Sequence, residues 1–310
     1  MSNKISFYIQ AKETDGLGHL KRSIGLIKNF KKHGYIVNVL GDFSTQAKKV
    51  LASVGLGSAR QESWSRVVII DATEISIDIK DQLESYDLRL LISPIFNDFQ
   101  FATHVFSRTE VPRKRNRSEG LQKVIYDPLF SFTTIGNLIR RKSVSSQNLK
   151  VGICISGSAT YVNLANLLKA CARSRNVASL TVLGDQLLSE AVINGKPVVT
   201  SKFVDNLWEH FCDIDVFITG DGLMIFEAMA QAIPTISLRR SESWSKNAYF
   251  YENNWCSEAD LNDVNTEKVT NILSDSIMLR EQRKRLFDAN FGSQKDALFN
   301  RLVKTIGELK

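Results

Sequence analysis

Residues 5–42, ISFYIQAKETDGLGHLKRSIGLIKNFKKHGYIVNVLGD, read as strand, glycine turn, helix and strand. Ile5 to Gln10 is an apolar run suited to a strand. Leu20, Ile24, Ile27 and Phe30 then fall at i, i+4, i+7 and i+10, one face of a helix. Gly34 supplies a natural residue to end that helix. Tyr35 to Leu40 follows as a second strand, closed by Gly41-Asp42. The alternation continues with a helix at Gln46 to Ser53, the apolar strand Val67-Val68-Ile69-Ile70-Asp71 and another strand at Leu88 to Ile92. Such alternation predicts an α/β fold with a parallel sheet covered on both faces.

The same pattern restarts further on. Ser143 to Asn148 is small, polar and without apolar period, so it reads as a linker. Beyond it come a strand at Leu149 to Ile155, a helix at Tyr161 to Ala172 and a strand at Ala178 to Leu183. Asp215 to Thr219 and Ile233 to Leu238 are strands flanking a helix that runs through Ala232, and the tail from Ser274 to Leu309 is helical and charged. This predicts two domains of one architecture, residues 1–145 and 146–310.

A chain of 310 residues with 43% hydrophobic and 24% charged residues can bury the cores of two ordinary domains and is not a disordered polymer. No apolar run reaches the roughly 20 residues that span a bilayer. Met1 to Ser6 lead straight into a strand without a secretory apolar region, so a cytoplasmic location is expected. The four cysteines, Cys154, Cys171, Cys212 and Cys256, lack ligand spacing and read as reduced thiols, three of them in apolar segments. The net charge of +7 is concentrated at Arg113 to Arg117 and Arg140 to Lys142. Such runs are solvated loops or meet an anionic glycan or the inner face of a membrane. Nucleic acid is disfavoured, because no aromatic-interleaved basic stripe accompanies them.

Three strand-to-helix turns carry glycine: Gly16/Gly18, Gly157 beside Ser158, and Gly220-Asp221-Gly222-Leu223. Ligands of open α/β sheets bind beyond the carboxyl ends of strands, where helix N-termini expose N–H groups and a positive dipole end. Three such turns in two halves suit a diphosphate-containing ligand in a cleft. The first lacks the third glycine of a dinucleotide fingerprint, having Lys21 there, and no P-loop is present; nicotinamide and ATP chemistry are therefore disfavoured. His19 stands between turn glycine and Lys21-Arg22, where the dipole suits a neutral, proton-accepting imidazole; a capping or packing role is the alternative. Glu227, one turn into the helix after Gly222, can accept hydrogen bonds from both hydroxyls of a ribose, or simply favour the dipole. Asp71 and Asp42 end strands and could orient a sugar or serve their turns; Lys21 or Arg22 could offset charge on a leaving group, or simply stand in solvent or at the core edge.

Gly16-Leu17-Gly18-His19-Leu20-Lys21-Arg22 resembles the G-x-G-H-x-x-R motif of the nucleotide-sugar hydrolases of pseudaminic acid synthesis and of spore-coat polysaccharide glycosyltransferases. The likeness continues through Val67 to Asp71, Tyr126 to Phe130 and Ile155-Ser156-Gly157-Ser158. DVFITGDGLMIFEAMAQAIP, residues 215–234, resembles their segment ending G-G-S-T-x-x-E-x-x-x-x-G-x-P and, more distantly, that of the peptidoglycan N-acetylglucosaminyltransferase. The resemblance implies a GT-B fold: two Rossmann-like domains with parallel sheets facing a cleft, and a terminal helix crossing back to the first. It implies a nucleotide-sugar donor, with UDP as nucleotide, held mainly by the second domain, His19 as catalytic base, Glu227 on the ribose and Gly220 to Gly222 at the diphosphate. The implied activity is inverting glycosyl transfer in bacterial surface polysaccharide synthesis, without metal or added cofactor; hydrolysis of the donor and non-catalytic binding are the alternatives. Leu223-Met224 depart from the family's serine and threonine, Ser156-Gly157 from its double glycine, Ile233 stands near its glycine before proline, and Ser243-Trp244 stand where Asn-Gln belongs.

Overall fold

The computed structural model describes residues 3–13, 17–57, 65–72, 74–92, 101–108, 123–130, 147–155, 161–184, 191–201, 208–220, 222, 224–239, 247–260, 267–291 and 296–308. The linker at Ser143 to Asn148 is described only at its last two residues, and the basic runs at Arg113 to Arg117 and Arg140 to Lys142 lie outside the described residues. The chain divides into two compact units, Met1–Thr134 with Asp296–Lys310, and Ile135–Lys295.

The first unit begins β1 (Lys4–Ile9), α1 (Gly18–Lys32), β2 (Ile36–Leu40), α2 (Thr45–Ser53), β3 (Val67–Asp71), α3 (Ile77–Glu84), β4 (Leu88–Ile92), β5 (His104–Ser107) and β6 (Lys123–Tyr126). These six strands form one sheet in the order β2-β1-β3-β4-β5-β6, and every pairing is parallel. All five residues of β3 are buried, as an inner strand covered on both faces requires. Phe7 pairs with Ile69 and Ile9 with Asp71, which puts these four on one face. That face carries α1, whose Phe30 meets Phe7 edge-on at 5.9 Å. Tyr8, Val68, Ile70, Leu91 and Val105 fill the other face against Leu83 of α3.

The second unit runs β7 (Leu149–Cys154), α4 (Tyr161–Arg173), β8 (Val177–Leu183), β9 (Val192–Ile193), β10 (Lys196–Ser201), α5 (Trp208–Phe211), β11 (Val216–Gly220), α6 (Met224–Ala230), β12 (Thr235–Arg239), α7 (Ala248–Glu252), β13 (Ser257–Asp260), α8 (Glu267–Ser274) and α9 (Ser276–Ala289). Its sheet has the order β13-β12-β11-β7-β8-β10-β9. The expectation of a parallel sheet holds except at one edge, where β9 folds back antiparallel on β10. The short Asn194-Gly195 connection accounts for this: both residues take positive φ (48° and 74°), the geometry of a tight hairpin. One face packs Val151, Ile153, Val216 and Ile218 under α4 and α8; the other packs Cys154 and Phe217 under Phe211, Ile214, Met224 and Ala228.

The last helix, α10 (Ala297–Gly307), belongs to the first unit. Its buried Leu298, Phe299, Leu302 and Thr305 form one stripe, and Phe299 packs edge-on against Phe30 with ring centroids 4.9 Å apart. α10 thus lies beside α1 on the same face of the sheet.

Candidate active site

In the first sheet the chain passes from β1 outward to β2, then returns to the opposite side of β1 as β3. The point where the strand order reverses lies between β1 and β3, and open sheets of this kind place ligands beyond the carboxyl ends of such strands. α1 starts there. Its N-cap is Leu17, which offers no side-chain acceptor, and no acidic residue stands in its first turn. His19, Arg22 and Ser23 are spaced i, i+3 and i+4, so the helix brings all three to the sheet side.

They converge on Asp71, the last residue of β3, which has no exposed surface. Arg22 donates Nε to Asp71 Oδ2 at 2.6 Å and Nη2 to Oδ1. Ser23 donates its hydroxyl to Oδ2 at 2.8 Å, and His19 Nδ1 lies 2.7 Å from Oδ1. Burial alone would raise the Asp71 carboxyl. The charge and hydrogen bonds of Arg22, followed by those of His19, outweigh it and hold the group down at about 2. Gln10 extends the arrangement: its N–H donates to the Asp71 carbonyl, and its Oε1 accepts from Glu74 N, stitching β1 to the chain after β3.

His19 Nδ1 stands between an acceptor and a donor. Arg22 Nη2 also lies 2.7 Å from His19 Nδ1, yet a guanidinium only donates and an ionised carboxylate only accepts. With its hydrogen on Nδ1 the ring donates to Asp71 and keeps the lone pair on Nε2; with the lone pair on Nδ1 it accepts from Arg22. His19 keeps 8% of its surface exposed.

Asp71, expected to orient a sugar, therefore has its carboxylate engaged inside the unit, and Arg22, expected to meet leaving-group charge, is also 8% exposed and ion-paired to it. Ser23 and Gln10 escaped the sequence reading. A signal for the network was present: a lone aspartate ending an otherwise apolar buried strand needs a cation, and one basic and two polar side chains share a face of α1. Gly18 opens α1, with nothing within 4 Å of the site of an added Cβ, while Gly16 lies outside the described residues.

The second sheet reverses between β7 and β11. Gly220 ends β11 buried, Gly222 is half-buried, and α6 follows with Glu227 in its first turn. Burial, and then the charge of Glu227, push the Cys154 thiol up to about 12, which sets the Glu227 carboxylate near the end of β7. Glu227 and Gly220 thus belong to one reversal point. Gly157, Ser158, Asp221 and Leu223 lie outside the described residues, as do Ser243-Trp244. Met224, where the resembling families carry a hydroxyl, packs into the core with Cys154, Leu183 and Phe217. The left-handed conformation that favours glycine before Pro234 is taken by Ala232 (φ +57), one residue ahead of Ile233. Among the described residues no helix is long and apolar enough to cross a membrane, and no group of three or more His, Cys, Asp or Glu could hold a metal ion.

No family model matches this sequence, and no curated protein matches it. Solved structures match in fold. MurG from Acinetobacter baumannii is 11% identical, with TM-score 0.61 over 97% of this chain and 99% of that one. A glycosyltransferase from Rickettsia africae is 12% identical, with TM-score 0.61 over 98% of each chain. MnaA from S. aureus, solved with UDP, is 12% identical, with TM-score 0.63 over 98% of this chain and 97% of that one. At such identities the likeness concerns the fold. With its two sheets and their order, it makes this a two-domain α/β chain of the GT-B fold.

Proposed function

We propose that this chain transfers a sugar from a nucleotide donor, with UDP as the nucleotide, to a hydroxyl of a glycan or other acceptor. The observation that carries the reading is the His19–Asp71 pair at the strand-order reversal of the first sheet. In the tautomer that this reading uses, a neutral imidazole donates Nδ1–H to the buried carboxylate and presents Nε2 as a general base, the arrangement that orients histidine in other proton-transfer sites. Nε2 takes the proton of the acceptor hydroxyl as its oxygen bonds to the anomeric carbon. The bond from that carbon to the phosphate oxygen breaks, and the nucleotide diphosphate leaves with the electron pair. One displacement without a protein nucleophile inverts the anomeric centre.

In this reading Asp71 positions the ring, while Arg22 and Ser23 keep Asp71 ionised; none of the three contacts substrate. Glu227 takes the ribose hydroxyls. The charge on the leaving diphosphate is met by N–H groups at Gly220 to Gly222 and the start of α6 in place of a metal ion. The UDP seen with MnaA and the transferase named from Rickettsia africae support a nucleotide sugar as donor. A place in bacterial surface polysaccharide synthesis follows from the resemblance of the 16–22 turn.

The test is incubation with UDP-, GDP- and CMP-sugars, with and without glycan acceptors, followed by product analysis. Acceptor-dependent release of UDP with a glycosylated product supports transfer. Free sugar released at enzymatic rates without acceptor would replace transfer with hydrolysis, and binding without any turnover would leave a non-catalytic sugar-nucleotide carrier.

A further inference from the structure

The first unit also holds a cavity of about 360 Å³ that the function above does not use. Its floor is Ile125 of β6 and Phe130 from the turn after it, both buried. Its wall is the outer face of α10, where Asn300 and Arg301 project from one turn and Lys304 from the next, opposite the buried Leu298–Leu302 stripe. Arg301 is half-buried and Lys304 exposed, and among the described residues neither is ion-paired. Asp127 also lines the cavity, with Oδ1 accepting from Leu129 N, so among the described lining residues two cations face one carboxylate and the balance is positive.

The floor of this cavity shares its rim and its face of the sheet with Asp71. Ile70, Leu91, Val105 and Val124 stand in one register row across β3 to β6. Asp71 and Ile125 each come one residue beyond that row, at the same carboxyl rim and on the same face. Three inter-strand steps separate β3 from β6, about 14 Å at the usual strand spacing. That face carries α1 and α10 side by side.

We propose that the cavity binds the phosphate-bearing end of the glycosyl acceptor, so that the acceptor lies along the rim with its reacting hydroxyl at His19. The volume falls in the range of small-ligand sites. The apolar floor and Tyr126 suit a sugar ring, and an arginine with a lysine suits a phosphate, which accepts charge-assisted hydrogen bonds from both. The inference rests on the glycosyl-transfer reading and names its acceptor class.

The experiment is calorimetric titration with glucose 1-phosphate, with saturating UDP present to occupy the donor site. The native chain is compared with R301Q/K304Q and with the charge-conserving R301K/K304R; thermal midpoints check that all three fold. Saturable binding by the native and charge-conserving chains is expected, weakened about tenfold or more in R301Q/K304Q, with glucose itself at least about tenfold weaker than its phosphate. UDP affinity should be equal in all three. Equal affinity for glucose and its phosphate, undiminished binding by R301Q/K304Q, or no binding by the native chain would each overturn the proposal. Failure of UDP to bind the native chain would instead remove the donor reading and leave the phosphate result standing.

Discussion

Replacing Asp71 with asparagine removes the charge on which three side chains converge while keeping nearly the same volume. In the native chain the carboxyl is held down from 3.8 to about 2 at a site with no exposed surface. At about 1.36 kcal/mol per unit, that is about 2 kcal/mol of stability. Because the folded value lies below the unfolded one, this contribution is complete above about pH 4 and disappears as pH falls towards 2. D71N costs more than this, because Arg22 stays buried with its charge uncompensated; removing one partner of a buried pair costs about 3–5 kcal/mol. The asparagine oxygen still accepts one hydrogen bond, which favours the low end. For a unit of about 150 residues, about 3 kcal/mol corresponds to a fall of about 6–12 °C in the midpoint. Scanning calorimetry at pH 7 measures it, and the difference between native and D71N should shrink as pH is lowered from 4 to 2. R22Q/D71N should be more stable than the sum of the single variants allows, by about 1 kcal/mol or more, since the orphaned cation is gone. A D71N midpoint within about 1 °C of the native one, or strictly additive variants, would refute the claim that this ion pair holds α1 to β3.

Three further outcomes are expected. Phe299→Ala removes a buried ring that meets Phe30 and His33, and should lower the first unit's calorimetric transition by about 3 kcal/mol or more while sparing the other; an equal shift of both would contradict the division of the chain. Burial pushes the Cys154, Cys171 and Cys256 thiols up, whereas Cys212 is partly exposed, so a disulfide reagent at pH 8 should label one thiol rapidly in the folded chain and four in urea; two or more fast equivalents would contradict that burial. Glu227→Gln should weaken UDP about tenfold or more and leave the first unit's transition in place, and unchanged UDP affinity would remove the ribose assignment.

How far the fold could be read in advance depended on burial. Strands covered on both faces announce themselves as apolar runs, Val67 to Ile70 before Asp71 and Leu88–Ile92 with Arg89 as its one polar residue, and they lie where the pattern put them. α1 was equally plain, since Leu20, Ile24, Ile27 and Phe30 are all buried along one stripe. The edges were not. β13 is Ser-Glu-Ala-Asp, with a single buried side chain, and β5 and β6 have four residues each, too short to show a period. At the site, glycine turns and His19 stood out because turn chemistry is local. The partnership of His19 with Asp71 is not local: 52 residues separate them, and only the β1–β3 pairing brings them together. Arg22 looked available to a substrate for the same reason, its partner being on a strand far along the chain.

The most direct measurement is nucleotide diphosphate release by the native chain and by His19→Ala at saturating UDP-sugar and acceptor, with UDP affinity measured in parallel. Loss of a positioned general base should lower kcat by about 10²–10⁴-fold while UDP affinity changes less than about twofold. Undiminished kcat in His19→Ala would contradict the account at its centre.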